Sequence, residues 1–138
     1  MTLKSINKIE TGRPINVGSM KVRELLPTAS GFFDPFLVFH HAETVIDKNI
    51  PISQQGVGPH PHRGFSPVSF IYRGGVHHRD SRGNNSVIYE GGTQWMNTGM
   101  GVIHSERVPD DIFEHGGDQA LLQVWVNRRT NNKMDSRA

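Results

Sequence analysis

At 138 residues, with 35% hydrophobic and 20% charged side chains, the chain has the length of one domain and the composition of a globular protein. A formal charge of only +2, with Lys and Arg scattered and no basic run, argues against direct nucleic-acid binding. The absence of Cys excludes a disulfide framework and thiolate metal ligands and fits a reducing, cytoplasmic setting, and no apolar stretch is long enough to span a bilayer.

The N-terminal MTLKSINKIE has no apolar core of a secretory leader. From there, short apolar or alternating segments follow one another: residues 20–26, 35–40, 65–72, 76–80, 86–89, 93–97, 102–106 and 120–127. Turn signals separate most of them, among them Arg73-Gly74-Gly75, Arg82-Gly83-Asn84-Asn85, Gly91-Gly92 and Gly99-Met100-Gly101. Short strands at this spacing predict an all-β sandwich or barrel. Pro67 inside one segment predicts an edge position or a bulge, and residues 109–115 are the one place where a helical turn or two is expected.

Two pairs of metal-ligand side chains carry the chemistry: His60 and His62 in GPHPHRGF, and His104 and Glu106 in GMGVIHSE. Residues two apart on a strand point to the same face, so each pair presents two side chains together. Chance also produces i, i+2 histidines in a chain with eight of them, and a single such pair on an exposed strand is usually solvated. The second pair supplies the two ligands the first lacks. Three imidazoles and a carboxylate suit iron, manganese, nickel, copper or zinc. No Ser-His-Asp arrangement, phosphate loop or dinucleotide fingerprint occurs at usable spacing.

The segments DPFLVFHH, PHPHRGF, HHRDSRGN, GGTQWMNTGMGVIHSE and LLQVWVN, in that order, resemble the successive signatures of the pirin family of the cupin superfamily. The resemblance covers nearly the whole chain and is to the N-terminal, metal-binding domain of a pirin. It implies a cupin-type double-stranded β-helix (jelly-roll) barrel over residues 1–127, with iron, as Fe(II) or Fe(III), held by His60, His62, His104 and Glu106. The tail 128–138 resembles the start of an interdomain linker, and the second cupin domain of a pirin is expected to be absent, the chain being either a natural one-domain pirin or a fragment or shortened gene product. Two departures stand out. Ser66 occupies the place of a carboxylate in the family's HRGFE, which is expected to affect the surroundings of the site more than the ligands, and Gly92 replaces the Asp of a PGD turn.

Pirins are similar to flavonol dioxygenases, which implies a small chelating substrate such as quercetin, with Glu106 loosening from the metal to act as the catalytic base. The alternative is a non-enzymatic, redox-responsive module that binds a regulatory protein, and a third reading is a domain that keeps the fold without turnover. A homodimer is expected, a second copy standing in for the absent domain. Of His77 and His78, at most one can face the metal. His40 and His41 read as rim or packing residues at a strand end, and His115 as a loop residue. Trp95, Met96, Phe65, Phe70 and Trp125 read first as core, while Arg63, Asp80 and Ser81 read as groups able to hold a carboxylate or orient an imidazole.

Overall fold

The computed structural model describes residues 5, 6, 8–28, 31 and 33–136. The first four and last two residues of the expected domain and tail lie outside these. Ten strands run Arg13–Val17 (β1), Met20–Leu26 (β2), Phe36–Val45 (β3), Gly56–His62 (β4), Phe65–Arg73 (β5), Gly75–Asp80 (β6), Asn85–Tyr89 (β7), Thr93–Trp95 (β8), Val102–Arg107 (β9) and Asp118–Asn127 (β10). A short α-helix, α1 (Asp110–His115), carries Asp110 and Asp111 in its first turn and His115 in its last, each placed to complement the helix dipole.

The strands form two antiparallel sheets, ordered β1-β2-β3-β10-β5-β8 and β4-β9-β6-β7. Their inner faces close on a core of Met20, Val22, Ala42, Ile71 and Leu121 from the larger sheet and Val57 and Val76 from the smaller. This is the barrel that the alternating segments predict. Apolar residues from both layers leave water together, which is the main source of stability for such a fold.

Several local expectations are corrected. Pro67 sits within an internal strand, paired with Trp125 of β10 without a register shift. Its carbonyl accepts from the Met96 amide, so its nitrogen faces the same side, just past the last β8 pair at Trp95, where the missing N–H costs at most the one reciprocal bond at the end of that ladder. His40 and His41 lie mid-strand because β3 continues to Val45. Trp95 is 68% exposed and Phe70 is 38% exposed, because strand alternation turns both to the outer face of the larger sheet rather than into the core. Met96 is buried as expected.

Candidate metal centre

The ligand pairs lie on neighbouring strands of one sheet. β4 pairs with β9 so that His60 stands opposite His104 and Val57 opposite Glu106. The register shifts between Val57 and His60, marking a bulge. The shift has a functional effect: Val57 and His60 are three positions apart, so an unbroken strand would turn one of them outward, whereas here Val57 enters the core while His60 and His62 face the barrel interior with His104. Gly56 opens this stretch with φ of +83°, and a Cβ there would come within 2.3 Å of the Glu106 carbonyl oxygen. Only glycine permits that approach of β4 to β9.

The three imidazoles converge. Their ligand atoms lie within 4.8 Å of one another, with His60 Nε2 at 2.9 Å from His62 Nε2 and 3.1 Å from His104 Nε2. His60 Nδ1 is 2.8 Å from the Gly58 carbonyl, to which only a protonated nitrogen can donate. Its Nε2 therefore carries the lone pair into the cluster. Burial, then the neighbouring His60, holds the His62 imidazole down to about 4. Burial followed by His60, His62 and His78 holds His104 down to about 3, against a smaller opposing effect of Asp80. Three imidazoles with Nε2 atoms converging at this separation are a donor set that suits a transition-metal ion.

Glu106 stands on the same face of β9 but outside that close set. Its carboxylate accepts from Gln123 Nε2 at 3.1 and 3.3 Å and from Ser69 Oγ at 3.4 Å. Burial pushes its pKa up, against the Gln123 hydrogen bond and the nearby His60 and His78. Gln123 is oriented in turn by the Trp125 indole N–H, which donates to its Oε1 at 3.1 Å. A buried carboxylate held by neutral donors is costly unless a cation is near, and the imidazole cluster is where one fits. Sequence reading missed Gln123 and Ser69. The available signal was a polar residue inside the apolar runs LLQVWVN and PVSFI.

A cavity of about 510 Å³ opens beside the cluster, lined by His60, His62 and Glu106 together with Arg63, Phe65 and Trp125. Phe65 and Trp125 stack at 4.5 Å between centroids and 23° between planes, and Trp125 meets the His62 ring edge at 5.0 Å. Both aromatics, read from sequence as core, are thus walls of the site. Gly64, with φ of +80°, turns the chain from β4 into β5, and the Thr98 hydroxyl donates to the Phe65 carbonyl at 2.6 Å, fixing the start of β5. His40 also lines the cavity, and its Nε2 lies 3.4 Å from Glu24 Oε1.

The remaining candidates are sorted by strand alternation. His78 is buried against His104, whereas His77 faces outward to Asn85. Asp80 accepts from His78, and Ser81 Oγ accepts from the Ile103 amide. Ser66 lies on the opposite face of β5 from Phe65, with its hydroxyl on Asn97 at 3.2 Å, so this departure does not border the imidazoles. Gly92 accepts no side chain without crowding, since a Cβ would come within 2.6 Å of Ile88 Cγ2 and 2.8 Å of the Tyr89 carbonyl oxygen. His115 ends α1, exposed. Residues 128–136 fold back on the barrel, with Lys133 Nζ donating to the Gly64 carbonyl and the Met100 amide to that of Asp135.

Comparison with known proteins agrees with this arrangement. The pirin family model matches residues 19–126. A pirin-like protein of Caulobacter vibrioides is 34% identical over 139 residues, covering 99% of this chain and 48% of its own length. A crystal structure described as quercetin 2,3-dioxygenase from Acinetobacter baumannii is 37% identical with a TM-score of 0.81, over 91% of this chain and 44% of that one. A cupin domain from Schizosaccharomyces pombe, 12% identical, shares the fold with a TM-score of 0.58 over 88% of this chain and 72% of its own. The chain spans less than half the length of the pirin-like relatives it matches. No helix among the described residues is long and apolar enough to cross a membrane. The family match, the shared cupin fold and the imidazole cluster agree: this chain belongs to the pirin family.

Proposed function

We propose that His60, His62, His104 and Glu106 hold one iron ion and that the centre is a dioxygenase for a planar, chelating, flavonol-type substrate such as quercetin. The observation that carries this reading is the convergence of three imidazole Nε2 atoms beside a cavity walled by stacked aromatics. Manganese, nickel, copper and zinc suit the same donors, and iron is favoured by the family resemblance. A cavity of about 510 Å³ falls within the size range of small-molecule sites.

A bound iron ion supplies Lewis acidity and redox capacity toward O₂. The chain's own groups do the rest. His60, His62 and His104 fix the donor geometry. Glu106, whose basicity burial raises, takes the proton of the substrate's 3-hydroxyl, while Gln123 and Ser69 keep its oxygens oriented. Phe65 and Trp125 offer flat apolar surface to the substrate rings, and Arg63 at the same cavity offers a cation to a phenolate. Met20, Val22 and Leu121 line the inner wall and exclude water.

The test is oxygen uptake with quercetin by iron-loaded protein, set against the metal-free protein and His62→Ala. Uptake by the loaded wild type alone supports the reading. A shifted quercetin spectrum without uptake favours a redox-responsive binding module, and no spectral shift removes flavonols as ligands.

A further inference from the structure

His104 has two ring nitrogens, and only one faces the other ligands. While Nε2 points to His60, Nδ1 lies 3.4 Å from Nδ1 of His78, its diagonal neighbour on β6. His78 is engaged at both nitrogens. Its Nε2 is 3.2 Å from Asp80 Oδ2, and its Nδ1 is 2.7 Å from Gln94 Nε2. Asp80 is itself pinned, accepting from the Asn84 side chain at 2.8 Å and from the Arg82 and Asn84 backbone amides at 2.9 and 3.0 Å. The side chains of His78 and Asp80 are 7% and 4% exposed, which strengthens these contacts.

The direction of the hydrogen bonds follows from the chemistry of each group. An ionised carboxylate only accepts, so the proton between Asp80 and His78 sits on His78 Nε2. In the neutral ring this leaves His78 Nδ1 as an acceptor, 3.4 Å from His104 Nδ1, which then carries the proton between them. His104 is then the Nδ1–H tautomer, and its Nε2 lone pair is aimed at the other two imidazoles. Were the His78 tautomer reversed, a lone pair would face the Asp80 carboxylate at 3.2 Å.

We infer that Asp80 is a positioning residue of the metal centre: acting through His78, it fixes the tautomer of His104 two imidazoles away, so that this ligand is ready before an ion arrives. The metal-binding part rests on the function proposed above, whereas the tautomer part stands in the metal-free protein. Carboxylates that orient a metal-bound imidazole directly change affinity by about 10- to 100-fold. Here the influence passes through one further ring.

The experiment combines ¹⁵N NMR of the imidazole nitrogens in metal-free protein with competitive Zn(II) titration, in wild type, Asp80→Asn, His78→Gln and the outward-facing control His77→Ala. Wild type and His77→Ala are expected to show His104 as a single Nδ1–H tautomer. Asp80→Asn and His78→Gln are expected to show mixed tautomers and about tenfold weaker Zn(II) binding. If Asp80→Asn does not fold, His78→Gln decides. A mixed tautomer in wild type, or an unchanged tautomer and affinity in the folded variants, overturns the inference. Absence of Zn(II) binding in wild type refutes the metal centre instead, and the tautomer alone then judges the role of Asp80.

Discussion

On one side of the imidazole cluster, His60 and His62 line a cavity of about 510 Å³ with Phe65, Trp125 and aliphatic side chains. On the other, His104 backs onto His78, and His78, Asp80 and Gln94 line a second cavity, of about 690 Å³, together with Arg82, Asn84 and Asn97. Hydrogen bonds dominate the second side: Asp80 accepts from three donors besides His78, and Arg82 reaches the Thr98 and Gly101 carbonyls. On the first side the ring nitrogens face one another and the walls are apolar. One side fixes proton positions, and the other leaves lone pairs and space for an ion and a ligand. A metal site needs both, since a fully bonded imidazole cannot ligate and an unsupported one rotates.

The largest effect should come from breaking the first side. His62→Ala and Glu106→Ala are expected to lose most bound metal, while His115→Ala at the end of α1 retains it. Elemental analysis of the purified variants measures this, and equal retention in all three would place the site elsewhere.

Acid should separate the two sides next. In metal-free protein, His62 and His104 are held at about 4 and about 3 from an ordinary 6.5, chiefly by burial. Between pH 6.5 and those values the unfolded chain binds more protons than the folded one, so stability falls as pH drops through this window and levels off below it. For His62 the loss by pH 4 is on the order of 3 kcal/mol. Thermal melts in chelator should follow this slope, and His62→Gln should flatten it. A pH-independent Tm from 6.5 to 4 would contradict the buried, neutral cluster.

A smaller effect belongs to Gln123, which links Trp125 to Glu106. Gln123→Leu removes donors from a buried carboxylate and should weaken Zn(II) binding about tenfold, read by the same competitive titration. Unchanged affinity would mean that Glu106 needs no orientation. The smallest perturbation distinguishes the two tryptophans. Trp125 lies 5.0 Å from the His62 ring, whereas Trp95 is 68% exposed on the outer face of the larger sheet. Quenching of tryptophan fluorescence by Cu(II) should therefore persist in Trp95→Phe and largely vanish in Trp125→Phe.

The sequence by itself determined most of the strands and the three imidazoles. Alternation and Gly-rich turns are local signals, and the segment 20–26 coincides with β2. Pairs at i, i+2 in HPH and HSE announce side chains on a common face, and the family signatures imply a metal among them. Where local signals were weak, reading failed: Arg13–Val17 offers only Ile15 and Val17 in alternation, and pairing with β2 completes it as a strand. Trp95 and Phe70 look like core residues by composition, but their outward direction depends on strand parity and the partner sheet.

Only the tertiary structure decided how the site is assembled. The bulge between Val57 and His60 reconciles a core residue with two inward ligands, and it exists because β4 must match β9. Glu106 is oriented by Gln123 and Ser69 from the opposite sheet, and His104 by His78 from the neighbouring strand, with separations of 17, 37 and 26 residues along the chain. A ligand's chemical type is written in its own residue. Its protonation, tautomer and direction are set by neighbours that meet it only when the two sheets close, because hydrogen bonds and burial act through space and not along the sequence.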